Sequence, residues 1–383
     1  MLDNANANQE IPKIVNQVDQ ELFNLVKGID ILDAIKPLNY LQQKNEFFSQ
    51  QYSKTPSFEY RENTIDAFVL KRQLYNLPIE SLDDDLYQLY VPIIDSYVDK
   101  IDQFSSIGTE EFLYDSLRYY GEPNDKDLRN AHFILHLPDN EEQLNSPMQG
   151  ANEICQTLSA FAKKHDYQYN QVLDEGMIAN ALVSGLNVKI NTNAQVNEIE
   201  MNALAHHELG VHLLTTLNAR EQPLKVLSLG CPINTLTQEG LAILSEYLAG
   251  YLTIKRLKML ALRVLAVQSM IQEKNFRNTF LMLKEGHRVN DDLAFTITAR
   301  VYRGGGFTKD YLYLTGFRLI LNAFEQEENF FNLLAGKTSL EYLPLINRLI
   351  DRQLLNKPRR ITPSLKIPTE NSAIEKFITH AIY

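Results

Sequence analysis

The chain has 383 residues and a formal net charge of −11 at pH 7, with 44% hydrophobic and 22% charged residues. Its length allows about two domains with a sizeable core, and its composition is that of an ordinary globular protein. The acidic balance argues against nucleic-acid and anionic-membrane partners, because both attract clustered Lys and Arg.

The cysteine content and the N-terminal sequence indicate the cellular compartment of the protein. The two cysteines, Cys155 and Cys231, cannot form a disulfide framework, which favours a reducing environment. The N-terminus has neither the basic nor the apolar stretch of a signal peptide, and no window approaches 18 uninterrupted apolar residues. We therefore predict a soluble, cytoplasmic protein.

The first part of the chain, residues 11–140, has a mostly helical pattern. Residues 1–10 before it are polar and Asn-rich and are expected to be disordered. Apolar residues then recur at steps of three and four, which predicts an amphipathic helix ending near Gly28. His132 and His136 are four apart, but no Glu lies between them, so packing or surface roles are favoured. This region shows no catalytic constellation.

A polar stretch at 139–151 marks the predicted boundary of a second, catalytic region over residues 141–356. Residues 186–191 alternate apolar and polar, which predicts a half-buried strand. An edge strand here could hold a peptide substrate by backbone pairing, although an ordinary hairpin strand explains the pattern equally well. A helix is predicted over residues 194–218.

That helix carries a cluster of histidines. Three of the eight histidines lie within positions 206–212, and segment 207–212 reads His-Glu-Leu-Gly-Val-His. Imidazoles at fixed helical offsets can converge on one Zn²⁺, and Glu208 can then accept a proton from water. The alternative is an amphipathic helix whose histidines are solvated or hydrogen-bonded.

The spacing of the histidines departs from the commonest zinc motif. In the usual His-Glu-x-x-His helix the second ligand lies four residues on, about 40° round the helix, but Val211 occupies that position. His212 would point roughly 140° away from His207 in a regular helix, and the pair His206 and His212 is worse, at about 240°. A single π-type turn around Gly210 would absorb the extra residue and return His212 to the face of His207.

A second motif follows at Thr-Gln-Glu-Gly-Leu-Ala. Thr235 and Gln238 predict a capping box that starts a helix, with Glu239 in its first turn. In zinc sites with two histidines and one glutamate the third ligand comes from such a following helix. Glu246 lies on nearly the same face and could hydrogen-bond a ligand imidazole. The alternatives are an acid favoured by the helix dipole for Glu239 and a structural role for Glu246.

These two motifs together resemble the QEGLA-motif family, formerly a domain of unknown function, which includes the microtubule-associated tyrosine carboxypeptidases. Those proteins are zinc peptidases with a His-Glu-x-x-x-His motif. The resemblance extends from about residue 29 to residue 358 and includes the segment at 303–310. Bacterial relatives bear the label "flavohemoglobin expression-modulating", which names a phenotype rather than a chemistry.

The resemblance implies roles for four residues. His207, His212 and Glu239 would be the ligands of one Zn²⁺ per chain, and Glu208 would be the general base. It also implies a peptide or protein C-terminus as the substrate. One departure is that the tubulin-directed enzymes act on a strongly acidic tail, to which a chain of charge −11 is poorly matched.

Two other motifs are absent or incomplete. The tripeptide Gly-Lys-Thr at 336–338 has Phe331 where a P-loop requires its first glycine, so nucleotide binding is not expected. No Gly-x-Ser-x-Gly elbow of a serine hydrolase is present.

A carboxypeptidase needs a fixed cation for the terminal carboxylate of its substrate and a donor for the developing oxyanion. The candidate cations near the triple-glycine loop are Arg300, Arg303 and Lys309. The candidate donors are Tyr302, Tyr311, Tyr313 and His287. A structural or surface role explains each single residue equally well.

We therefore predict an α+β, predominantly α-helical, gluzincin-like metallopeptidase with a small strand section before the active-site helix and an extended tail over residues 357–383. The predicted activity is that of a zinc-dependent carboxypeptidase releasing a C-terminal residue, tyrosine or another aromatic. One alternative is a regulatory or interaction protein with a structural or vestigial metal site. Another is a metal-dependent hydrolase of a non-peptide substrate, and Mn²⁺ or Co²⁺ could replace zinc.

Overall fold

The computed structural model describes residues 11–62, 64–138 and 147–382. The predictions for residues 1–10 and for most of the polar stretch at 139–151 fall outside these ranges. The described chain is predominantly helical with a small three-stranded sheet, in agreement with the predicted α+β class. Within these ranges no helix is both long enough and apolar enough to cross a membrane.

The helices that precede the sheet are amphipathic and bury one face each. Several begin at a side-chain cap, as where Asp83 accepts a hydrogen bond from the Leu86 amide at the start of the longest of them. They are α1 (Lys13–Val26), α2 (Ile31–Ala34), α3 (Tyr40–Ser49), α4 (Ala67–Tyr75), α5 (Asp84–Ser105), α6 (Glu111–Tyr120), α7 (Asp125–Leu135) and α8 (Ala151–His165).

The helices that follow the sheet include two π-helical segments, Ala205–Leu213 and Met282–Gly286. The α-helices are α9 (Glu198–Leu204), α10 (Leu214–Arg220), α11 (Val226–Leu229), α12 (Asn234–Leu248), α13 (Ile254–Glu273), α14 (Phe276–Leu281), α15 (Asp291–Tyr302), α16 (Leu312–Gln326), α17 (Leu343–Asp351), α18 (Pro363–Lys366) and α19 (Ala373–His380). Short 3₁₀ turns connect several of them, including Thr308–Tyr311.

The sheet contains β1 (Asn170–Asp174), β2 (Ala181–Ser184) and β3 (Asn187–Asn191) in the order β1-β3-β2. β1 pairs with β3 in parallel, and β2 pairs with β3 antiparallel. The strand predicted over 186–191 is therefore present as β3, but the prediction that it could be an edge strand is wrong. Alternation reveals that a stretch is a strand and not which neighbours it has, and the edge strand beside the π-helical segment Ala205–Leu213 is β2.

The helix that carries the clustered histidines begins later than the sequence pattern indicates. The helix predicted over 194–218 starts at Glu198, where Asn197 and Glu200 form a capping box. Residues 192–196 before the cap are not helical: 192–193 form a turn, and Val196 makes an isolated bridge with Gln149. The apolar residues that precede the cap are buried in the core without being helical, which is why periodicity placed the start too early.

The helix that carries Glu239 also starts differently. The predicted capping box of Thr235 and Gln238 is not formed, because Gln238 Oε1 accepts a hydrogen bond from Thr215 Oγ1 at 2.9 Å instead. α12 begins at Asn234 after Ile233, which adopts a left-handed conformation and provides no side-chain cap. Glu239 therefore lies in the second turn.

The C-terminal segment is not the extended tail that its prolines suggest. Pro363 occupies the first position of α18, where proline is favoured because its missing N–H has no helical partner. Ser372 and Glu375 form a capping box at the start of α19. Ile378 and Ile382 are buried in the larger core, so the segment belongs to the folded body.

Two clusters of buried apolar side chains form the core. The larger includes the π-helical segment Ala205–Leu213, α12, α13 and α16, and the smaller is built from α1, α5, α11 and α17 with neighbouring loops. Both draw residues from either side of position 140. The division into regions 11–140 and 141–356 stays a prediction.

The close crossing of α12 and α16 sets the position of α12, the helix that carries Glu239. A Cβ atom on Gly240 would lie 2.4 Å from the carbonyl oxygen of Gly316, and one on Gly316 would lie 2.3 Å from the carbonyl oxygen of Leu236. Two glycines face each other here because the backbones are too close for any side chain. Gly240 is the neighbour of Glu239, so this contact positions the carboxylate.

We expect Gly240→Ala to lower the free energy of unfolding by about 1–3 kcal/mol or more, since the added methyl group must push two backbones apart. Urea denaturation measures the change. Gly286→Ala is the matched control, because a Cβ there would meet nothing within 4 Å and its φ is not positive. Equal stabilities of the two variants would contradict this account of the crossing.

Candidate metal centre

The π-helical segment Ala205–Leu213 brings two of the clustered histidines onto one face. The predicted π-type turn is thus confirmed, and it extends over nine residues. The ring centroids of His207 and His212 lie 5.0 Å apart. Leu209, Val211 and Leu213 are fully buried in the larger core, which fixes the opposite face of the segment.

Side chains from distant parts of the chain bind the carbonyl groups of this segment. Thr362 Oγ1 donates to the Gly210 carbonyl at 2.7 Å, Ser245 Oγ to the His206 carbonyl at 3.1 Å, and Lys337 Nζ to the His212 carbonyl at 2.8 Å. Buried carbonyl groups require such partners. These contacts hold the π-helical geometry and therefore the direction of both imidazoles.

Glu239 completes a candidate triad with His207 and His212. Its Oε2 atom lies 3.5 Å from His207 Nε2 and 3.6 Å from His212 Nε2. The ligand atoms of the triad lie within 4.8 Å of one another, an arrangement that could hold a metal ion. Atoms about 2.0–2.1 Å from a tetrahedral Zn²⁺ stand roughly 3.4 Å apart, so the two separations between Glu239 Oε2 and the imidazole nitrogens suit that ion.

An unpartnered oxygen supports the fit. In the described part of the chain, Glu239 Oε2 is buried and has no hydrogen-bond partner. A buried carboxylate oxygen without a partner is costly unless a proton or cation is supplied. Two imidazoles and one carboxylate are also a donor set that Zn²⁺ accepts.

A carboxylate holds the imidazole of His207 on the side that faces away from the triad. Its Nδ1 atom lies 2.7 Å from Glu246 Oε1, the contact expected from the sequence. Arg256 in turn donates to both oxygens of Glu246, at 2.9 and 3.1 Å. Since Nδ1 faces the carboxylate, Nε2 is the nitrogen that faces the triad.

The charges of the triad favour a cation. Burial alone would raise the pKa of Glu239, but Lys309 and the two imidazoles hold the pKa of that carboxyl well below its usual range. Burial likewise opposes a charge on His207, whereas Glu239 and Glu246 raise its pKa to about 10. Protons and metal ions compete for the same nitrogen, so the site attracts either.

Glu208 follows His207 directly and lines the cavity beside the triad. It is 6% exposed, and its Oε2 atom is buried with no partner among the residues that the structure describes. A carboxylate in that state is available to accept a proton.

The structure places Lys309 elsewhere than the sequence suggested. Its ammonium donates to Glu239 Oε1 at 2.6 Å and to the Tyr313 hydroxyl at 3.1 Å. Lys309 was a candidate for binding the carboxylate of a substrate, but it is already paired with a carboxylate of the protein. The pair forms because a helix and a 3₁₀ turn that are far apart in sequence meet at this point, and the substrate-binding role of Lys309 stays a prediction.

The arginines differ in how they are paired. Arg300 forms a buried bidentate pair with Asp310, with contacts of 2.5 and 2.9 Å, and so is engaged as well. Arg263 reaches Asp310 only at 4.0 Å, and Arg303 has no carboxylate within ion-pair distance in the described chain. The Nε atoms of Arg263 and Arg303 are buried and have no hydrogen-bond partner among the described residues.

The weakly paired arginines, Arg263 and Arg303, also have lowered pKa values. Burial and the neighbouring Arg300 lower the pKa of Arg263 and that of Arg303 to about 10 each. The three guanidinium groups of Arg263, Arg300 and Arg303 therefore carry more buried positive charge than the neighbouring carboxylate of Asp310 can balance. An anionic group of a ligand would relieve the imbalance.

Of the candidate donors, only Tyr313 lines the cavity. Its ring stacks near His207 with an interplanar angle of 18°, and the guanidinium of Arg263 lies 5.3 Å from its centroid. Tyr302 instead bonds Thr279 Oγ1 at 3.0 Å, and Tyr311 donates to the Tyr120 carbonyl at 2.6 Å. His287 does not line the cavity either, so the structure gives no support to the substrate-binding role predicted for Tyr302 or to the donor roles of Tyr311 and His287, which stay predictions.

The triad lies in a cavity of about 970 Å³. Its walls come from the π-helical segment, from α13, from the turn that carries Lys309 and from residues 179–182 at the start of β2. Such a volume suits a few residues of a peptide. The unpaired edge of β2 runs along the same space.

Sequence reasoning missed three residues at this site. Arg256 and Arg263 are seven positions apart on α13, so helical periodicity places them on one face and could have paired them. Lys337 was considered only as part of an incomplete P-loop. No local pattern connects it with the His212 carbonyl, 125 residues earlier.

Comparisons with known proteins bear on the family. No curated protein sequence matches the chain at a significant level. A lipoprotein of unknown function from Shewanella oneidensis, known from its structure, aligns over 81% of this chain and 73% of its own, at 13% identity and a TM-score of 0.34. A TM-score this low does not establish a shared fold.

The profile of the family described as microtubule-associated tyrosine carboxypeptidase matches residues 45–382. This match covers most of the chain, including the triad, Glu208 and both motifs that carry the resemblance. The relation predicted from those motifs is confirmed, and the chain belongs to the microtubule-associated tyrosine carboxypeptidase family.

Proposed function

We propose that this protein is a zinc-dependent carboxypeptidase with a gluzincin-like site, in which His207, His212 and Glu239 hold the metal. The observation that carries the proposal is the unpartnered Glu239 Oε2, which lies 3.5 and 3.6 Å from the two imidazole nitrogens. Family membership supports the peptidase class, and its printed description supports cleavage at a polypeptide C-terminus.

When bound, Zn²⁺ supplies Lewis acidity that polarises a carbonyl group and lowers the pKa of water. Glu208 accepts the proton of the attacking water, since its buried carboxylate is unpaired and lines the cavity. It then delivers the proton to the departing amine. Glu246 and Arg256 keep the Nε2 atom of His207 directed at the triad throughout.

Substrate binding is assigned to groups that line the cavity. Arg263 and Arg303 bind the terminal carboxylate, because they are the cavity cations with the weakest pairing in the described structure. Tyr313 stabilises the oxyanion beside the triad. The free edge of β2 pairs with the extended backbone that precedes the scissile bond.

Metal content is the first test. We expect roughly one zinc ion per chain, measured by elemental mass spectrometry on protein purified without chelators or a histidine tag. His212→Ala and Glu239→Ala should each lose it, because three protein ligands are the minimum of such sites. His136→Ala, which removes an exposed histidine outside the cavity, is the control. A parent protein that stays metal-free after zinc addition would favour a regulatory or interaction protein.

Glu208→Gln tests the general base. The variant keeps the shape of the side chain but cannot accept a proton, so we expect normal zinc content and a loss of turnover of about 10²–10⁴-fold. Release of C-terminal residues from a peptide library with varied ends, followed by mass spectrometry, measures the activity. A zinc-loaded variant with parental turnover would remove Glu208 from the mechanism.

Removing the unpaired arginines tests exopeptidase specificity. For Arg263→Met and Arg303→Met we expect kcat/KM to fall about 10–100-fold for peptides with a free C-terminus, because each loses a charged hydrogen bond. Peptides with an amidated C-terminus should be poor substrates for the parent and should lose nothing further. Arg348→Met, which alters an exposed ion pair with Asp85, is the control. Equal cleavage of free and amidated peptides by the parent would indicate an endopeptidase.

A further inference from the structure

Glu239 presents its two carboxylate oxygens to different partners. Oε1 accepts a hydrogen bond from Lys309 Nζ at 2.6 Å. Oε2 has no such partner in the chain as described, and it is the oxygen that lies within 3.6 Å of both imidazole nitrogens. The ammonium group and the space between the imidazoles are therefore on opposite sides of one carboxylate.

The position of Lys309 is fixed by its surroundings. Its side chain is 6% exposed, and the Tyr313 hydroxyl accepts a second hydrogen bond from the ammonium at 3.1 Å. The residue belongs to the 3₁₀ turn Thr308–Tyr311, which is buried against α13 and α16. A cation held between the imidazoles would use Oε2, so it need not displace Lys309 from Oε1.

We propose that Lys309 is a positioning residue that makes Glu239 a ligand through one oxygen only. By holding Oε1, it prevents that atom from turning towards the metal and withdraws negative charge from the carboxylate. A coordination position is then kept for water and substrate, as catalytic zinc sites require. This inference rests on the metal site proposed above.

The consequence for a variant follows from the same geometry. In Lys309→Met the ammonium is removed, and Oε1 becomes a buried oxygen without a donor. The metal is then the nearest available positive charge, so both oxygens of Glu239 bind it. Metal binding should be as tight as in the parent, while turnover falls because the second carboxylate oxygen, added beside the bound water, takes the space that the substrate carbonyl needs.

The test uses Co²⁺ in place of zinc, because the visible absorption of Co²⁺ is strong in four-coordinate sites and weaker in five-coordinate ones. We expect the strong spectrum for the parent and the weaker one for Lys309→Met, with kcat/KM about 10–100-fold lower and Co²⁺ affinity not reduced. Lys309→Arg should restore the parental spectrum. Lys36→Met, which removes a cavity lysine paired with Asp174, should leave the spectrum unchanged.

Three outcomes would overturn the inference or its basis. A Co²⁺-loaded Lys309→Met protein with the parental spectrum would show that Lys309 does not control the binding mode of Glu239. If that variant does not fold, X-ray absorption on the zinc-loaded parent decides, and two oxygens from one carboxylate at the metal would contradict the proposal. A parent that takes up neither Co²⁺ nor zinc would instead contradict the proposed function.

Discussion

The site depends on one extra residue between two histidines. Five positions separate His207 from His212, and an α-helix would direct them to different sides. The π-helical segment directs both histidines to one side, although its backbone departs from regular α-helical geometry. Its carbonyl groups accept hydrogen bonds from Thr362, Ser245 and Lys337. The geometry of the triad is therefore a property of the whole fold and not of the motif alone.

Buried charge is arranged around the triad in pairs. Arg256 neutralises Glu246, Lys309 neutralises Glu239, and Arg300 neutralises Asp310. Each pair has a large desolvation penalty that only good geometry and further hydrogen bonds can offset, and loss of one partner leaves an uncompensated charge. Such pairs fix the orientation of the side chains more than they stabilise the fold. The net charge of −11 therefore says little about the cavity, where Arg263 and Arg303 are cations with buried, unpartnered Nε atoms in the described structure.

The chemistry of the site could be predicted from the sequence further than its surroundings could. The spacing of His207 and His212 required a π-type turn, and helical periodicity related Glu246 to Glu239; both relations are present in the structure. These are local relations, which a helix repeat determines. The class of the fold followed similarly from alternating helical patterns and a single strand signal.

What could not be predicted are contacts between distant segments. Lys309 was assigned to a substrate because its partner Glu239 lies 70 residues earlier, and no periodicity connects them. The tail was predicted to be extended because a proline also favours the first turn of a helix, and sequence alone does not distinguish the two uses. β2 was missed because its four residues are too short for an alternation to be recognised. In each case tertiary packing decides what local preference leaves open.

In the second motif, Thr-Gln-Glu-Gly-Leu-Ala, three consecutive residues each make a different packing contact. Gln238 binds Thr215 and so connects α12 to α10, the helix that directly follows the π-helical segment. Glu239 faces the imidazoles, and Gly240 lets α16 approach to backbone contact on the other side. Consecutive residues of a helix point about 100° apart, so three neighbours reach three different partners. A change in any one would shift the helix against the other two, because the carboxylate sits between a polar contact and a crossing that leaves no free space.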